Sequence, residues 1–187
     1  MKQQQLIILG EDTNILTRQA KELAELIGYT DIVVATQTTE GTSKVFLTFE
    51  DRVYRRQQLE KIDRDRVINL IHPTAYVSAS AVLGCNIIVG AQAIVGLNAI
   101  VEDGVVQNAL SSVEHDNKIG AFSFFGTGAI LCGRVETGVE VFIGGGATVK
   151  PGTKIGARTT LGTGAVLVKD AEADSVYVGN PAQKLHR

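Results

Sequence analysis

The sequence predicts a small α/β subdomain over residues 1–70, a parallel β-helix of hexapeptide repeats over residues 71–170, and a C-terminal tail over residues 171–187. Three observations predict this arrangement. Aliphatic residues recur every six positions in the second half, glycines concentrate in the same half, and the first part alternates apolar runs with amphipathic stretches. A six-residue period is the repeat of a parallel β-helix, whereas alternating strands and helices are typical of an α/β unit with a parallel sheet.

The α/β subdomain begins with an apolar strand from Gln4 to Leu9, which ends at Gly10. A helix is predicted next, because apolar residues follow at helical spacing. Asp12 or Thr13 is its expected N-cap, since both side chains carry an oxygen that accepts from a backbone N–H. Gly28 is its expected end, because glycine readily adopts the backbone that closes a helix.

The rest of the subdomain reads as strand, strand, helix and strand. The predicted ranges are 31–36, 44–49, 50–62 and 66–70, in that order. His72-Pro73 follows as the boundary to the second unit, because proline disfavours helix at the residue before it.

The repeats begin at Ile71. Of the 17 positions reached in steps of six from Ile71 to Leu167, 15 are aliphatic or aromatic, and 16 of the 20 glycines lie between Gly84 and Gly164. Each unit supplies a short strand with one inward aliphatic residue and then a corner, where glycine accepts unusual backbone angles. Three units close a triangular coil of about 18 residues, so residues 71–170 make about five and a half coils.

Composition excludes several classes of function. The net charge of −2, without a basic block, argues against a nucleic-acid partner. No run of about 18 apolar residues exists and acidic residues come early, so we expect neither a membrane span nor a secretory signal, and a cytoplasmic location. Cys85 and Cys132 lie far apart in apolar surroundings, which predicts two buried free thiols and no metal site.

Only three histidines exist, which narrows the search for chemistry. His72 lies at the unit boundary and His186 in the tail. His115 is placed by the hexapeptide phase near a corner of the prism, facing outward, between Glu114 and Asp116. A carboxylate beside an imidazole orients the ring and raises its basicity, so His115 is the candidate for catalysis.

Four stretches carry a resemblance to a known family. They are Asn108-Ala-Leu-Ser-Ser-Val-Glu-His-Asp, Ile119-Gly-Ala-Phe-Ser, Cys132-Gly-Arg-Val and Val178-Gly-Asn-Pro-Ala-Gln-Lys. They look like bacterial sugar acyltransferases of the left-handed β-helix class, which acetylate amino sugars on nucleotide carriers, and like sialic acid O-acetyltransferases. The similarity is strong over residues 70–185 and weak before them. It implies a left-handed coil, acetyl-CoA as acyl donor, a sugar acceptor, and a homotrimer whose active sites lie between neighbouring prisms.

The resemblance implies catalytic roles for three residues. The residue matching His115 is the general base of the family, Asp116 raises its basicity, and Asn108 lines the same cleft. No nearby Cys or Ser is placed as a covalent nucleophile, because Cys85 and Cys132 fall on other units of the repeat. The acceptor is therefore expected to attack the thioester directly.

Four residues are expected to surround the coenzyme by the same resemblance. A backbone N–H at Gly133 contacts the thioester carbonyl, and Gly145 and Thr163 line the cofactor. Phe124 stands where the family carries a second histidine that helps to hold acetyl-CoA. One cofactor contact is therefore lost or replaced in this chain.

Three residues of the first subdomain match acceptor-binding positions of the family: Gly10, Asn14 and Arg55. Around them the chain departs from the family. Where the family has a glycine-rich turn, this chain has Gly10-Glu-Asp-Thr-Asn. Where the family has an acidic pair after the second strand, it has Thr36-Gln37, and where the family has a glycine after the third strand, it has Glu50. Side chains there keep the backbone away from a diphosphate, and two carboxylates repel it, so we expect poor binding of nucleotide sugars.

The leading hypothesis is an acetyl-CoA-dependent acetyltransferase that modifies an amino or hydroxyl group of a sugar. A carbonic anhydrase type of site needs three histidines around zinc, and His72, His115 and His186 are too scattered for that. Two alternatives stay open. One is a β-helix scaffold with reduced catalytic activity, which Phe124 and the altered first turn favour. The other is an acetyltransferase for a small non-sugar acceptor such as an amino acid.

Overall fold

A computed structural model describes residues 5–37 and 41–185, in a first unit up to His72 and a second unit from Pro73. The first unit is built on a buried strand, β1 (Leu6–Leu9). It pairs in parallel with β2 (Ile32–Ala35) on one side and β3 (Lys44–Leu47) on the other. The carboxyl ends of the three strands therefore meet at one edge of the sheet.

Helix α1 (Ile15–Leu26) begins after Asn14, not after Asp12 or Thr13 as predicted. The side-chain Oδ1 of Asn14 accepts from the N–H of Leu16 at 2.7 Å. Its Nδ2 donates to the carbonyl of Thr48 at 2.9 Å, so this cap also ties the helix to the strand end of β3. The predicted stop at Gly28 is confirmed, because Gly28 adopts the left-handed backbone with φ of 102° just past the helix.

Helix α2 (Arg52–Leu59) is shorter than the predicted range 50–62 and begins after Asp51, whose carboxylate accepts from the N–H of Tyr54. The predicted strand 66–70 is wrong in its first half. Residues Arg64–Arg66 form a single 3-10 turn, Val67 alone bridges to β3, and the next strand is β4 (Leu70–Ile71).

The second unit consists of short strands at the predicted period. From the end of β4 onward, each two-residue strand ends on a residue that the six-step series names. They are β5 (Tyr76–Val77), β6 (Val82–Leu83), β7 (Ile88–Val89), β8 (Ile94–Val95), β9 (Ile100–Val101), β10 (Val106–Gln107), β11 (Ser112–Val113), β12 (Lys118–Ile119), β13 (Phe124–Phe125), β14 (Ile130–Leu131), β15 (Glu136–Thr137), β16 (Phe142–Ile143), β17 (Thr148–Val149), β18 (Lys154–Ile155), β19 (Thr160–Leu161) and β20 (Val166–Leu167).

Every third strand stacks in parallel, so one coil takes 18 residues, as in the pairing of Val106 with Phe124. Three faces result. Face one contains β7, β10, β13, β16 and β19; face two contains β5, β8, β11, β14, β17 and β20; and face three contains β6, β9, β12, β15 and β18.

The core of this unit is made of the inward aliphatic residues and the small residues beside them, such as Val95, Leu131 and Ala129, which are fully buried. The one inward glutamine, Gln107, is also buried. Its amide donates to the carbonyls of Ile94 and Ser111, which satisfies the polar group inside the prism.

The predicted tail contains two strands that the sequence analysis missed. Strand β21 (Val176–Gly179) pairs in parallel with β19, and β22 (Ala182–Lys184) turns back antiparallel to it. Across residues 5–37 and 41–185, no helix is long and apolar enough to cross a membrane.

Candidate active site

Two edges of the prism hold the candidate site residues. The histidine edge joins faces two and three and is made of the corner pairs Leu97–Asn98, His115–Asp116, Gly133–Arg134 and Pro151–Gly152. The glycine edge joins faces one and two and is made of Ala109–Leu110, Thr127–Gly128, Gly145–Gly146 and Thr163–Gly164.

His115 is the first residue of its corner and points outward, with its side chain 47% exposed. Its Nδ1 lies 2.8 Å from Oδ2 of Asp116. Because an ionised carboxylate only accepts hydrogen bonds, Nδ1 carries the proton and Nε2 keeps its lone pair. Nε2 makes no hydrogen bond within the described part of the chain, so it is available to a substrate.

Asp116 is the second residue of the corner, in left-handed backbone with φ of 59°. The hydrogen bond from His115 and then the one from Asn98 hold the pKa of its carboxyl below the ordinary value, with Arg134 adding a smaller attraction. Asp116 is therefore charged throughout the range in which an imidazole titrates, and it stabilises the protonated ring.

Glu114, the other acidic neighbour in the sequence, does not contact the imidazole. Its Oε1 accepts from the hydroxyl of Ser112 at 2.5 Å instead. Of the two carboxylates that flank His115 in the sequence, only Asp116 orients the ring.

Gly133 lies one coil beyond His115, directly under the imidazole. A Cβ on Gly133 would collide with Nε2 and Cε1 of the ring and lie 2.9 Å from Cδ2. The absence of a side chain is what lets the ring rest there. The N–H of Gly133 donates to no group among residues 5–37 and 41–185, so a donor lies next to the free ring nitrogen.

Asn117 fixes the spacing between these two corners, and the sequence analysis missed it. It is fully buried. Its Nδ2 donates to the carbonyl of Leu131 at 3.1 Å, and its Oδ1 accepts from the N–H of Val135 at 2.6 Å. These two hydrogen bonds connect Asn117 to Leu131 and Val135, which lie on either side of Gly133 in the sequence. The signal in the sequence was an asparagine at a position that holds alanine in many other repeats.

Asn108, Gly145 and Thr163 lie elsewhere, at the glycine edge. Asn108 directly follows β10, and its side chain makes no hydrogen bond within the described residues. Gly145 is half-buried and Thr163 is exposed, one coil apart. The width of face two separates these three residues from His115 and Gly133 of the same chain.

Phe124 lies on face one, where its ring stacks on that of Phe142, with centroids 5.1 Å apart and planes parallel to within 1°. The two are partners in the register of β13 and β16. The position therefore offers an apolar surface and no hydrogen-bond donor.

The three acceptor-binding candidates of the first unit are engaged in internal contacts. Gly10 lies against Thr17 and Thr48, whose hydroxyls bond to each other at 2.7 Å and occupy the space of a Cβ. Both ends of the Asn14 amide are used by α1 and β3. Arg55 is buried, and burial together with repulsion from Arg52 lowers its pKa to about 10.

An open cleft lies at the carboxyl ends of β1 and β2. It is lined by Gly10, Glu11, Asp12, Thr13, Val34, Ala35, Thr36 and Gln37. The N–H of Gly10 already donates to the carbonyl of Ala35 at 2.8 Å. The lining contains two exposed carboxylates and no basic side chain. It therefore lacks the positive charge that favours a diphosphate, and its two carboxylates repel one.

Both cysteines are free thiols. Cys85 is buried, as predicted, whereas Cys132 is half-buried, so the prediction of two buried thiols is wrong for Cys132. Over the described ranges, no three His, Cys, Asp or Glu side chains come together as metal ligands. His186 lies outside the described residues.

No protein-family model matches the chain. Among solved structures, the chain is similar to the acetyltransferase domain of PglB from Neisseria gonorrhoeae in complex with acetyl coenzyme A, with 28% identity, a TM-score of 0.86, and coverage of 97% of this chain and 100% of that one. It is also similar to PerB from Caulobacter crescentus in complex with CoA and GDP-perosamine, with 28% identity, a TM-score of 0.83, and coverage of 100% and 99%.

A third structure, WeeI from Acinetobacter baumannii, matches with 19% identity and a TM-score of 0.82 over 97% of this chain and 100% of that one, which bears on the fold alone. The predicted fold, an α/β subdomain followed by a left-handed parallel β-helix, is confirmed. The predicted likeness to sugar acetyltransferases is confirmed as well.

Proposed function

We propose that this chain is an acetyl-CoA-dependent acetyltransferase that acts on an amino or hydroxyl group of a sugar, with His115 as its general base. The observation that carries the proposal is the arrangement at the histidine edge. Nε2 of His115 is free, Nδ1 is held by Asp116, and the unpaired N–H of Gly133 lies under the ring. Nε2 of His115 can take a proton, and the N–H of Gly133 can donate to a developing oxyanion.

The reaction follows from these positions. Nε2 takes the proton from the acceptor N–H or O–H as that nitrogen or oxygen attacks the thioester carbonyl carbon. The Gly133 N–H donates to the carbonyl oxygen as negative charge develops on it. When the C–S bond breaks, the imidazolium returns its proton to the sulfur of coenzyme A. Asp116 stabilises the imidazolium in between.

The solved structures support the donor and the acceptor class. The PglB domain was crystallised with acetyl coenzyme A, and a GDP-perosamine N-acetyltransferase with CoA and GDP-perosamine. At 28% identity over nearly the whole chain, these likenesses extend beyond the fold to the activity, and acetyl-CoA is the acyl donor of this chain.

We infer a homotrimer with shared active sites. One chain places His115 and Gly133 on one edge and Asn108, Gly145 and Thr163 on the other, with face two between them. If face two turns toward a three-fold axis, the histidine edge of one copy meets the glycine edge of the next. Three of the six outward strand residues of face two, Tyr76, Ile94 and Ile130, are apolar and exposed, which fits burial against neighbours.

The sugar acceptor is proposed to carry no nucleotide diphosphate. In the cleft of the first unit, Glu11 and Asp12 stand where a diphosphate would bind, and Asn14 is used internally. Carboxylates and hydroxyls suit the hydroxyl groups of a sugar better than a phosphate.

Thiol release from acetyl-CoA tests the activity, with free amino sugars and their UDP- and GDP-linked forms offered side by side. We expect release that depends on a free sugar. If no sugar in the panel stimulates release, while acetyl-CoA binds, an amino acid panel tests the non-sugar alternative. If acetyl-CoA itself does not bind, the inactive scaffold explains the chain better.

Subunit mixing tests the shared site. His115→Ala chains, which lack the proposed base, and Gly145→Leu chains, which are expected to bind acetyl-CoA weakly, are unfolded and refolded together. Activity is measured at an acetyl-CoA concentration too low for the Gly145→Leu protein. If each site combines the two edges of different chains, random assembly restores about one quarter of the sites. A site built within one chain restores none, because every chain then carries one damaged edge.

A further inference from the structure

Asn98 and Asp116 occupy the same place on successive coils of the histidine edge. Both are second residues of their corners, with φ of 55° and 59°. Nδ2 of Asn98 donates to Oδ1 of Asp116 at 3.1 Å. The other carboxylate oxygen, Oδ2, receives Nδ1 of His115. The two oxygens of Asp116 are thus divided between the imidazole and the amide.

The backbone of this corner does not itself require asparagine. Residues as different as Gln92, Leu110, Phe122, Arg134 and Glu140 adopt the same left-handed conformation at the equivalent turn position, with φ between 56° and 61°. Asparagine does tolerate this conformation well. At Asn98, however, the side chain contributes a donor aimed at Asp116, which the backbone alone does not explain.

The carboxylate needs such a partner because it is in solvent. The side chain of Asp116 is 46% exposed, and the torsion that turns a carboxylate has broad minima. Asn98 is anchored in turn, since its backbone N–H donates to the hydroxyl of Ser80 at 3.0 Å. A chain of hydrogen bonds therefore runs from Ser80 through Asn98 and Asp116 to the imidazole.

We propose that Asn98 is a positioning residue of the transfer reaction: it holds the carboxylate of Asp116 so that Oδ2 stays on Nδ1 of His115 and Nε2 faces the acceptor. The inference rests on the proposed role of His115. Asn98 touches no substrate in this scheme and acts only through Asp116.

The electrostatics fix the sign of the effect. The groups that face the Asp116 carboxylate are His115, Asn98 and, more weakly, Arg134. A donor to the ionised form lowers the pKa of a carboxyl. Loss of the Asn98 amide therefore raises the pKa of Asp116, and a carboxylate in its place raises it further by repulsion.

Two variants test this without any assay of activity. Asn98→Gly keeps the left-handed backbone and removes the amide, and Asn98→Asp keeps the size and replaces the donor by a carboxylate. We expect the carboxyl carbon of Asp116, followed by NMR, to titrate at higher pH in both, and more so in Asn98→Asp. An unchanged titration in both variants would overturn the proposal.

Kinetics complete the test once an acceptor is known. We expect kcat to fall on the order of 10-fold in Asn98→Gly, below the roughly 10² to 10⁴ that a general base contributes, with KM for acetyl-CoA unchanged. The matched control is Arg158→Ala, which removes the bond to Asp174 between corners on the third edge, far from His115. Equal kcat in the Asn98→Gly, Arg158→Ala and unmodified proteins would reject the positioning role.

The two readouts separate this inference from the function on which it rests. A shifted Asp116 titration with a fully active His115→Ala protein supports the hydrogen-bond geometry and rejects the base. An unshifted titration with an inactive His115→Ala protein rejects Asn98 and keeps the base.

Discussion

The imidazole of His115 rests on the Cα of Gly133, one coil further along the prism, so that a Cβ at Gly133 would occupy the place of Nε2. The glycine thus serves two purposes. It makes room for the ring, and it brings an N–H that bonds to nothing else in the described part of the chain beside the ring nitrogen. One contact between coils therefore places both the proposed base and the proposed oxyanion donor.

Gly133→Ala should therefore impair catalysis through the imidazole. The new Cβ displaces the imidazole of His115 from its present position. Misplacement of a catalytic group by about 1 Å costs on the order of 10²-fold in rate. The measurement is kcat for Gly133→Ala, for His115→Ala and for the double variant. We expect the alanine at position 133 to change kcat little once the His115 side chain has been removed. Additive losses would show that Gly133 acts independently of the ring.

Asp116→Asn should move the acidic limb of the kcat/KM profile. In the proposed mechanism the free imidazole is the active form. Asp116, whose pKa lies below its ordinary value because His115 and Asn98 donate to its carboxylate, stabilises the imidazolium. Asparagine carries no charge, so the acidic limb is expected at lower pH and the maximal rate is expected to fall. The basic limb should stay in place. An acidic limb at the same pH in Asp116→Asn would show that Asp116 does not act on the imidazole of His115.

Gly145→Leu should weaken acetyl-CoA binding without unfolding the protein. The Cβ would lie 3.2 Å from the carbonyl oxygen of Thr127 and 3.9 Å from its backbone nitrogen, so a small local shift makes room for the side chain. A bulky side chain in the proposed groove costs about 1–3 kcal/mol, or roughly 5- to 150-fold in Kd. Calorimetric titration measures it, with Ala157→Leu at the equivalent turn position of the third edge as control. Unchanged affinity would place the groove elsewhere.

Nucleotide sugars should bind the first unit poorly, because Glu11 and Asp12 repel a diphosphate. Replacing both by serine should raise the affinity for UDP- or GDP-sugars by about 2- to 30-fold, as exposed charges contribute about 0.2–1 kcal/mol each. The control is the double variant Glu22→Ser, Glu25→Ser, which makes the same charge change on the exposed side of α1 and should leave the affinity for nucleotide sugars unchanged. Micromolar binding by the unmodified protein that is lost on mutation of Asn14 or Arg55 would contradict this prediction.

The β-helix could be predicted almost residue by residue, because its repeat is a local pattern. Each strand end from Val77 to Leu167 falls on the six-step series, since one inward side chain per unit is a condition of closing the prism. His115, Asp116 and Gly133 could be singled out too, and the first two are neighbours in the sequence, so their contact needs no knowledge of the fold.

Asn98 and Asn117 were missed for a physical reason. Their bonds to Asp116 and to the strand end at Leu131 run between coils, and such contacts become visible only when the 18-residue register is applied to side chains. The N-cap of α1 was predicted wrongly for another reason. Asp12, Thr13 and Asn14 all suit a cap locally, and the choice of Asn14 depends on its bond to Thr48, which is distant in the sequence.

The role of His115 as the base is tested most directly by the rate of His115→Ala with acetyl-CoA and the identified acceptor, with acetyl-CoA affinity measured on the same preparation. We expect a loss of about 10² to 10⁴ in kcat, because general-base help is removed, and an affinity close to that of the unmodified protein. Turnover at the unmodified rate would contradict the assignment of His115 as the base.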